Sequence, residues 1–361
     1  MATVFDYIKK YNVSFIEKEF NEVDNIIFSR FVYVIFDEVL ANKEKLSLKD
    51  LYKKYKDINP YFHDKKTLKL FEEMSFSNRY KDLFVGNYLS ITSNELEKQF
   101  AAITIYLPDD SIYISFRGTD SSLVGIKEDF NMSYMSHVPS QIDSVKYLED
   151  VAKNNNYKIR VGGHSKGGNM AMYASIFCKE EYKPRIIEIY NNDGPGFFSE
   201  IINTQKYQEI VDKTFSYIPQ TSIIGMLLYH KEKVNIVKSN KTFITQHDLL
   251  TWEIKDDKLV TLEENDKKSK YIDNIMSEFI LLPKEERQEF FEIMYQLITI
   301  NGATTVRDLS NQKIKSAKEM LAKYKKLNED EKKLFIKIWK EIIKIAKSNI
   351  RNYLPKIKKE K

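Results

Sequence analysis

The stretch that decides the fold is Tyr157-Lys158-Ile159-Arg160-Val161-Gly162-Gly163-His164-Ser165-Lys166-Gly167-Gly168-Asn169-Met170-Ala171-Met172-Tyr173-Ala174. A β-prone run enters a glycine-rich turn, and a run rich in Ala and Met leaves it at helical spacing. Gly163, Ser165 and Gly167 set the pattern G-x-S-x-G. In a strand–turn–helix frame this pattern strains the serine backbone and lifts its hydroxyl above the sheet edge. The free N–H groups and positive dipole end of the helix then face a developing oxyanion. A structural glycine turn and a phosphate-cradling loop are the competing readings. The phosphate loop requires Gly-x-x-x-x-Gly-Lys-Ser/Thr, whereas Lys166 precedes the second glycine pair. A nucleophilic serine is the preferred reading.

Working outward, glycine is scarce, and nine of the 11 fall between Gly118 and Gly225. They concentrate where the backbone turns tightly or approaches a ligand. Ala102 to Leu107 and Ile112 to Phe116 flank Pro108-Asp109-Asp110, which predicts a hairpin. Tyr157–Gly162, Ile186–Tyr190, Thr214–Ile218 and Val234–Lys238 read as further strands, with helical periodicity over Ile142–Ala152 and Asn169–Phe177. Alternation at this spacing predicts an α/β class with a mostly parallel sheet flanked by helices. Three parts are expected: a helical segment over 1–75 packed on the core, an α/β core over 76–265, and a helical, basic extension over 266–361.

At 361 residues, with 42% hydrophobic and 30% charged residues, the chain has the make-up of a large globular protein and not of a disordered one. Its single cysteine, Cys178, excludes an intramolecular disulfide and any CxxC site, and is expected to be a buried small hydrophobe. No run approaches the ~18 apolar residues of a membrane span. The start, MATVFDYIKKYN, lacks the apolar core of a secretory signal, so the cytoplasm is the expected compartment. The basic character is local: residues 312–361 carry 17 Lys+Arg against 6 Asp+Glu, and the remainder 40 against 46. Lysine outnumbers arginine 49 to 8, which argues against a nucleic-acid specialist. Leu334, Ile338, Ile342 and Ile345 or Ala346 form an apolar stripe, with Lys332, Lys333, Lys337, Lys340, Lys344 and Lys347 largely elsewhere. The expected role of this helix is packing, with contact to a membrane surface or an acidic partner as the alternative.

Ile114-Ser115-Phe116-Arg117-Gly118-Thr119-Asp120, followed later by Gly-His-Ser-x-Gly-Gly, resembles the class-3 lipases of the α/β-hydrolase fold. More closely, the chain resembles the Mbeg-like bacterial branch of that group. The matching stretches are Phe116–Asp120, Gly125–Met132, Gly162–Met170, Asn191–Phe197, and Gln246-His247-Asp248 with Trp252. The likeness covers roughly residues 20–260. Ile126 departs from it, because tryptophan is usual there, and a packing consequence alone is expected.

The resemblance implies a serine hydrolase with its triad in the order Ser, Asp or Glu, His. Ser165 is then the nucleophile. His247, late in the chain and in a loop, suits the base, with His230 the alternative; His63, His137 and His164 are read as structural. Asp193 follows the first strand after the elbow helix. The next strand is followed by Pro219-Gln220-Thr221-Ser222, with no carboxylate, so Asp193 is the expected acid and Asp248 the fallback. The oxyanion hole is assigned to the backbone N–H groups of Lys166 and Thr119, with Gly118 the neighbouring candidate. The Lys166 side chain is expected in solvent, and Arg117 and Asp120 are expected to pair with each other. Phe130–Met135 and Ile223–Leu228 are either core, the preferred reading, or an acyl pocket or lid. This chemistry requires no metal or organic cofactor. The expected substrate is a small-molecule or lipid ester, and thioester or amide cleavage uses the same machinery. The rival from another class is a silent hydrolase fold serving as a binding or scaffold module.

Overall fold

Strand Ser111–Phe116 shows how the core is divided. Ile112, Ile114 and Phe116 join one apolar cluster while Tyr113 joins another, because successive side chains point to opposite faces. A strand buried on both faces needs a helical layer on each side, and the chain supplies both.

The computed structural model describes residues 2–40, 45–56, 64–264, 277–299, 302–311 and 313–353. Helices α1 (Val4–Lys10) and α2 (Glu22–Phe31) come first, then the short strand β1 (Leu46–Ser47), α3 (Leu48–Lys56) and α4 (Lys65–Phe76). Strands β2 (Phe84–Ser93), β3 (Lys98–Tyr106) and β4 (Ser111–Phe116) follow as an antiparallel meander. The alternating part comprises α5 (Leu123–Asn131), α6 (Pro139–Lys153), β5 (Lys158–His164), α7 (Lys166–Phe177), β6 (Ile186–Asn192), α8 (Ser199–Ile202), α9 (Gln205–Val211), β7 (Thr214–Pro219) and β8 (Val234–Val237). Three two-residue strands, β9 (Ile254–Lys255), β10 (Lys258–Leu259) and β11 (Thr261–Leu262), close this part. Beyond them lie α10 (Lys284–Ile298), α11 (Val306–Asn311), α12 (Lys313–Lys326) and α13 (Glu329–Tyr353).

Among the described residues the main sheet has nine strands in the order β1-β2-β3-β4-β5-β6-β7-β8-β11. The run β4 to β8 is parallel, and the edges are antiparallel. One face packs on α6, α7 and α9 through residues such as Leu148, Met170, Ala174 and Tyr207. The other packs on α1 to α4 through Val4, Ile26, Phe28, Phe31, Leu51 and Leu70, together with Trp252 from the far end of the core. The leading helices therefore form one of the two layers covering the sheet. A buried ion pair fastens them: Arg79 reaches both oxygens of Asp24, at 2.8 and 2.5 Å, and Tyr80 donates to Asp24 at 2.6 Å. This is the α/β arrangement expected from the sequence, a mostly parallel sheet with helices on both faces.

The expected strands all appear, with small changes at their ends, and the hairpin turns at Asp110, whose φ is 55°. Strand β2 was not expected. Gly86-Asn87 breaks its alternation, and the structure accommodates them with a bulge between Gly86 and Leu89 and a φ of 51° at Asn87. The helices after residue 277 have apolar clusters of their own, one built on Phe279, Phe290 and Ile338 and one on Ile293, Leu297 and Leu327. No helix among the described residues is long and apolar enough to cross a membrane. His63 and the side chains of Ile342, Ile345, Ala346 and Lys347 lie outside the described residues.

Candidate active site

Ser165 joins β5 to α7 with φ 58° and ψ −132°, a left-sided conformation rarely adopted by side-chain-bearing residues. The strain persists because the surroundings over-determine it. Ser165 N–H donates to the Asn192 carbonyl at 2.9 Å, and Gly168 N–H donates back to Ser165 O at 2.9 Å. Beneath the turn, Asn192 Nδ2 donates to Gly163 O and Ser29 Oγ, both at 3.0 Å, and Tyr113 donates to Asn25 Oδ1 at 2.7 Å. This buried polar network ties α2 to the elbow. A Cβ on Gly167 would sit 2.2 Å from the Phe116 carbonyl oxygen, so only glycine lets helix and strand close here.

Three loops converge on the elbow. The turn after β6 carries Asp193, 1% exposed and itself at φ 53°. Its Oδ2 meets His247 Nδ1 at 2.6 Å, while Oδ1 accepts from Ser222 Oγ at 2.6 Å and Gly225 N–H at 3.1 Å. His247 ends a short 3-10 turn, Phe243–His247. The preceding Gln246 is clamped: its Oε1 accepts from Thr221 N–H and its carbonyl from Trp252 Nε1, each at 2.9 Å. Among the described residues Ser165 Oγ has no hydrogen-bond partner. Nucleophile–base contacts commonly tighten only once substrate is bound.

The loop after β4 closes the third side. A Cβ on Gly118 would lie 2.3 Å from the His164 carbonyl oxygen and 3.1 Å from Ser165 Cβ, so the Gly118-Thr119 backbone abuts the nucleophile. Lys166 is the first residue of α7, so its N–H has no acceptor within the helix. The structure thus joins Asp193 to His247, sets His247 against His164, the residue before Ser165, and places Lys166 and the Gly118-Thr119 backbone beside Ser165.

The alternatives are engaged elsewhere. His230 Nδ1 meets Glu232 Oε1 at 2.8 Å, and hydrogen bonds from His230, Tyr207 and Ser216 outweigh burial to bring the Glu232 carboxyl down to about 2. Asp248 pairs with Lys66 at 3.0 Å and caps the turn before Trp252. His137 bonds Tyr173 at 2.7 Å. Arg117 pairs with Asp120 at 3.5 Å, as expected, and Cys178 is buried, which pushes its thiol up to about 12.

Two expectations need correction. The Lys166 side chain is buried, not solvated: its Nζ lies 2.7 Å from Glu128 Oε2 and donates to Gln99 O at 2.9 Å. Glu128 also accepts from Ser140 N–H and Gln99 N–H, so α5, β3 and the elbow helix are tied at one buried point. A charge at a helix start looks solvated in sequence because its partner, 38 residues away, carries no local signal. The second correction concerns Phe130–Met135 and Ile223–Leu228, read as core. Met132, Ser133, Ile224, Leu227 and Leu228 instead line a cavity of about 80 Å³ that also contains Ser165, Asp129, Pro195 and Ile280.

One residue read as structural supports the site, and one, Asp129, was missed. The imidazole of His164 packs against that of His247 with centroids 4.3 Å apart. Its Nε2 donates to the His247 carbonyl at 2.7 Å, and its Nδ1 accepts from Tyr33 at 2.9 Å. Burial holds it neutral, well below the usual histidine range. Asp129 accepts from Thr119 Oγ1 at 2.7 Å and lines the cavity. Burial raises its carboxyl to about 6, against the opposing pull of Lys166. A folded-state value above the free one makes the ionised carboxylate a burden on stability, absent below about pH 4 and complete above about pH 6. Asp129→Asn is therefore expected to raise the melting temperature at pH 7.5 but not at pH 4. A gain of equal size at both pH values would refute this reading.

A family model described as Mbeg1-like matches residues 74–296. No curated protein matches the chain. Among solved structures, the crystal structure of M37 lipase is 18% identical, with a TM-score of 0.37, over 56% of this chain and 68% of that one. A crystal structure of an MDLA variant from Penicillium cyclopium is 13% identical, with a TM-score of 0.41, over 68% and 87% of the two chains.

Proposed function

We propose, from the premise that the chain belongs to the Mbeg1-like family, that it is a serine hydrolase cleaving a carboxylic ester through an acyl-enzyme. The observation carrying this reading is the 2.6 Å contact between Asp193 and His247 Nδ1, in the loop cluster above a strained serine. With Nδ1–H engaged by the carboxylate, the lone pair of Nε2 is free to take the Ser165 proton as Oγ attacks the ester carbonyl. The tetrahedral oxyanion is held by the Lys166 and Thr119 N–H groups. His247 returns the proton to the leaving alkoxide, then activates a water that attacks the acyl-enzyme and regenerates Ser165. The acyl group lies against Met132, Ile224, Leu227 and Leu228, which favours an apolar acyl chain.

The test is labelling by a fluorophosphonate probe, read by intact mass. Wild type is expected to gain one adduct and Ser165→Ala none. Folded wild type that takes no adduct, under conditions that label a control hydrolase, would leave the silent binding module as the better reading.

A further inference from the structure

Helix α13 has more than one apolar side. Its inner side packs through Leu334, Phe335 and Ile338 onto Phe279, Phe290 and Tyr324. A second stripe, Ile336, Trp339 and Ile343, follows the helical period and stays 42%, 40% and 47% exposed. Along its flank, one helical step away, run Lys333, Lys337, Lys340 and Lys344, all exposed. Lys333 and Lys344 have only loose partners within the helix, Asp330 at 3.4 Å and Glu341 at 3.3 Å. Lys337 reaches Glu286 at 2.6 Å, and Lys340 has no ion partner among the described residues. Pairs this exposed contribute little and exchange readily for other anions.

We propose that the outer side of α13 docks on an anionic bilayer surface. Ile336, Trp339 and Ile343 enter the interfacial layer, and the four lysines lie over lipid phosphates. A helix with lysines beside an aliphatic and tryptophan stripe is suited to lie in the plane of a membrane. Charge supplies the second argument. Residues 312–361 carry a net +11, and 16 of their 17 basic residues are lysine. Lysines attract a diffuse anionic surface as point charges, whereas a folded acidic partner would favour the bidentate fork of arginine.

The chain carries its own reporter. Of its two tryptophans, Trp252 is fully buried and Trp339 is exposed. The experiment uses full-length Ser165→Ala protein, so that no lipid is turned over and the result is independent of the proposed hydrolase activity. Equimolar phosphatidylcholine/phosphatidylglycerol vesicles are expected to shift tryptophan emission to shorter wavelength and to pull the protein down on sedimentation. Pure phosphatidylcholine vesicles should do neither. Raised salt, or K333Q/K337Q/K340Q/K344Q, should weaken association roughly tenfold or more. Trp339→Phe should abolish the shift and retain sedimentation. Absence of binding to the anionic vesicles at low salt would overturn the proposal, as would equal binding to neutral ones. Capture on polyglutamate without vesicle binding would also overturn it, in favour of an acidic protein. The salt titration of otherwise unmodified chain keeps the test decisive if the lysine variant fails to fold.

Discussion

Asp193→Asn is expected to lower kcat/KM by about four orders of magnitude while leaving the fold and KM nearly intact. The size follows from which oxygen does what. Oδ1 accepts two hydrogen bonds, from Ser222 Oγ and Gly225 N–H, so an asparagine keeps its carbonyl there. Its NH₂ group must then face His247 at the position Oδ2 now occupies. A donor at that point forces Nδ1 to accept, which places the imidazole proton on Nε2 and removes the lone pair that receives the serine proton. The measurement is steady-state hydrolysis of a series of activated esters. Asp248→Asn serves as the control and should change kcat by no more than a few-fold, because its carboxylate meets Lys66 and a turn. If Asp193→Asn kept more than a tenth of wild-type kcat, the acid would have to be sought elsewhere.

His247→Ala is expected to cost more, about 10⁵–10⁶ in kcat, with the residue of catalysis coming from the oxyanion hole and substrate binding. Truncation also empties the space beside His164, whose ring packs at 4.3 Å. Glutamine at 247 is therefore the companion variant: it fills volume without supplying a base. Both should lose fluorophosphonate labelling together with turnover, since each leaves Ser165 unactivated. A matching loss in His230→Ala, with His247→Ala spared, would transfer the base to the histidine beside Glu232.

How much of this was legible depends on how far apart the cooperating residues lie. The elbow was readable because Gly163, Ser165 and Gly167 are neighbours and because scarce glycines mark backbone demands that no other residue meets. Asp193 and His247 were readable through chain order and the family resemblance. The buried Lys166–Glu128 pair was not, since helix α5 returns Glu128 to the elbow only once the sheet has formed. Asp129 sat within a stretch already singled out, Gly125–Met132, yet nothing local marks a carboxylate as the partner of Thr119. His164 was read as structural, and its neutral ring, wedged between Tyr33 and the His247 carbonyl, supports the loop bearing His247. Strand β2 escaped for a simpler reason, because a bulge breaks the alternation on which strand reading relies.

The wall that Ile280 contributes to the Ser165 cavity has a consequence in time. Domains fold largely in the order in which the ribosome delivers them, at about 5–20 residues per second. The elbow and both of its proposed partners emerge well before residue 280, so the nascent sheet can close while its apolar cleft still lacks one side. For a few seconds of synthesis the proposed nucleophile and its apolar lining stand open to whatever the ribosome's surroundings contain. The segment around Ile280 is the last of the cavity's walls to leave the ribosome, and a nascent chain held with Ile280 just inside the exit tunnel would display the proposed triad in an unfinished pocket.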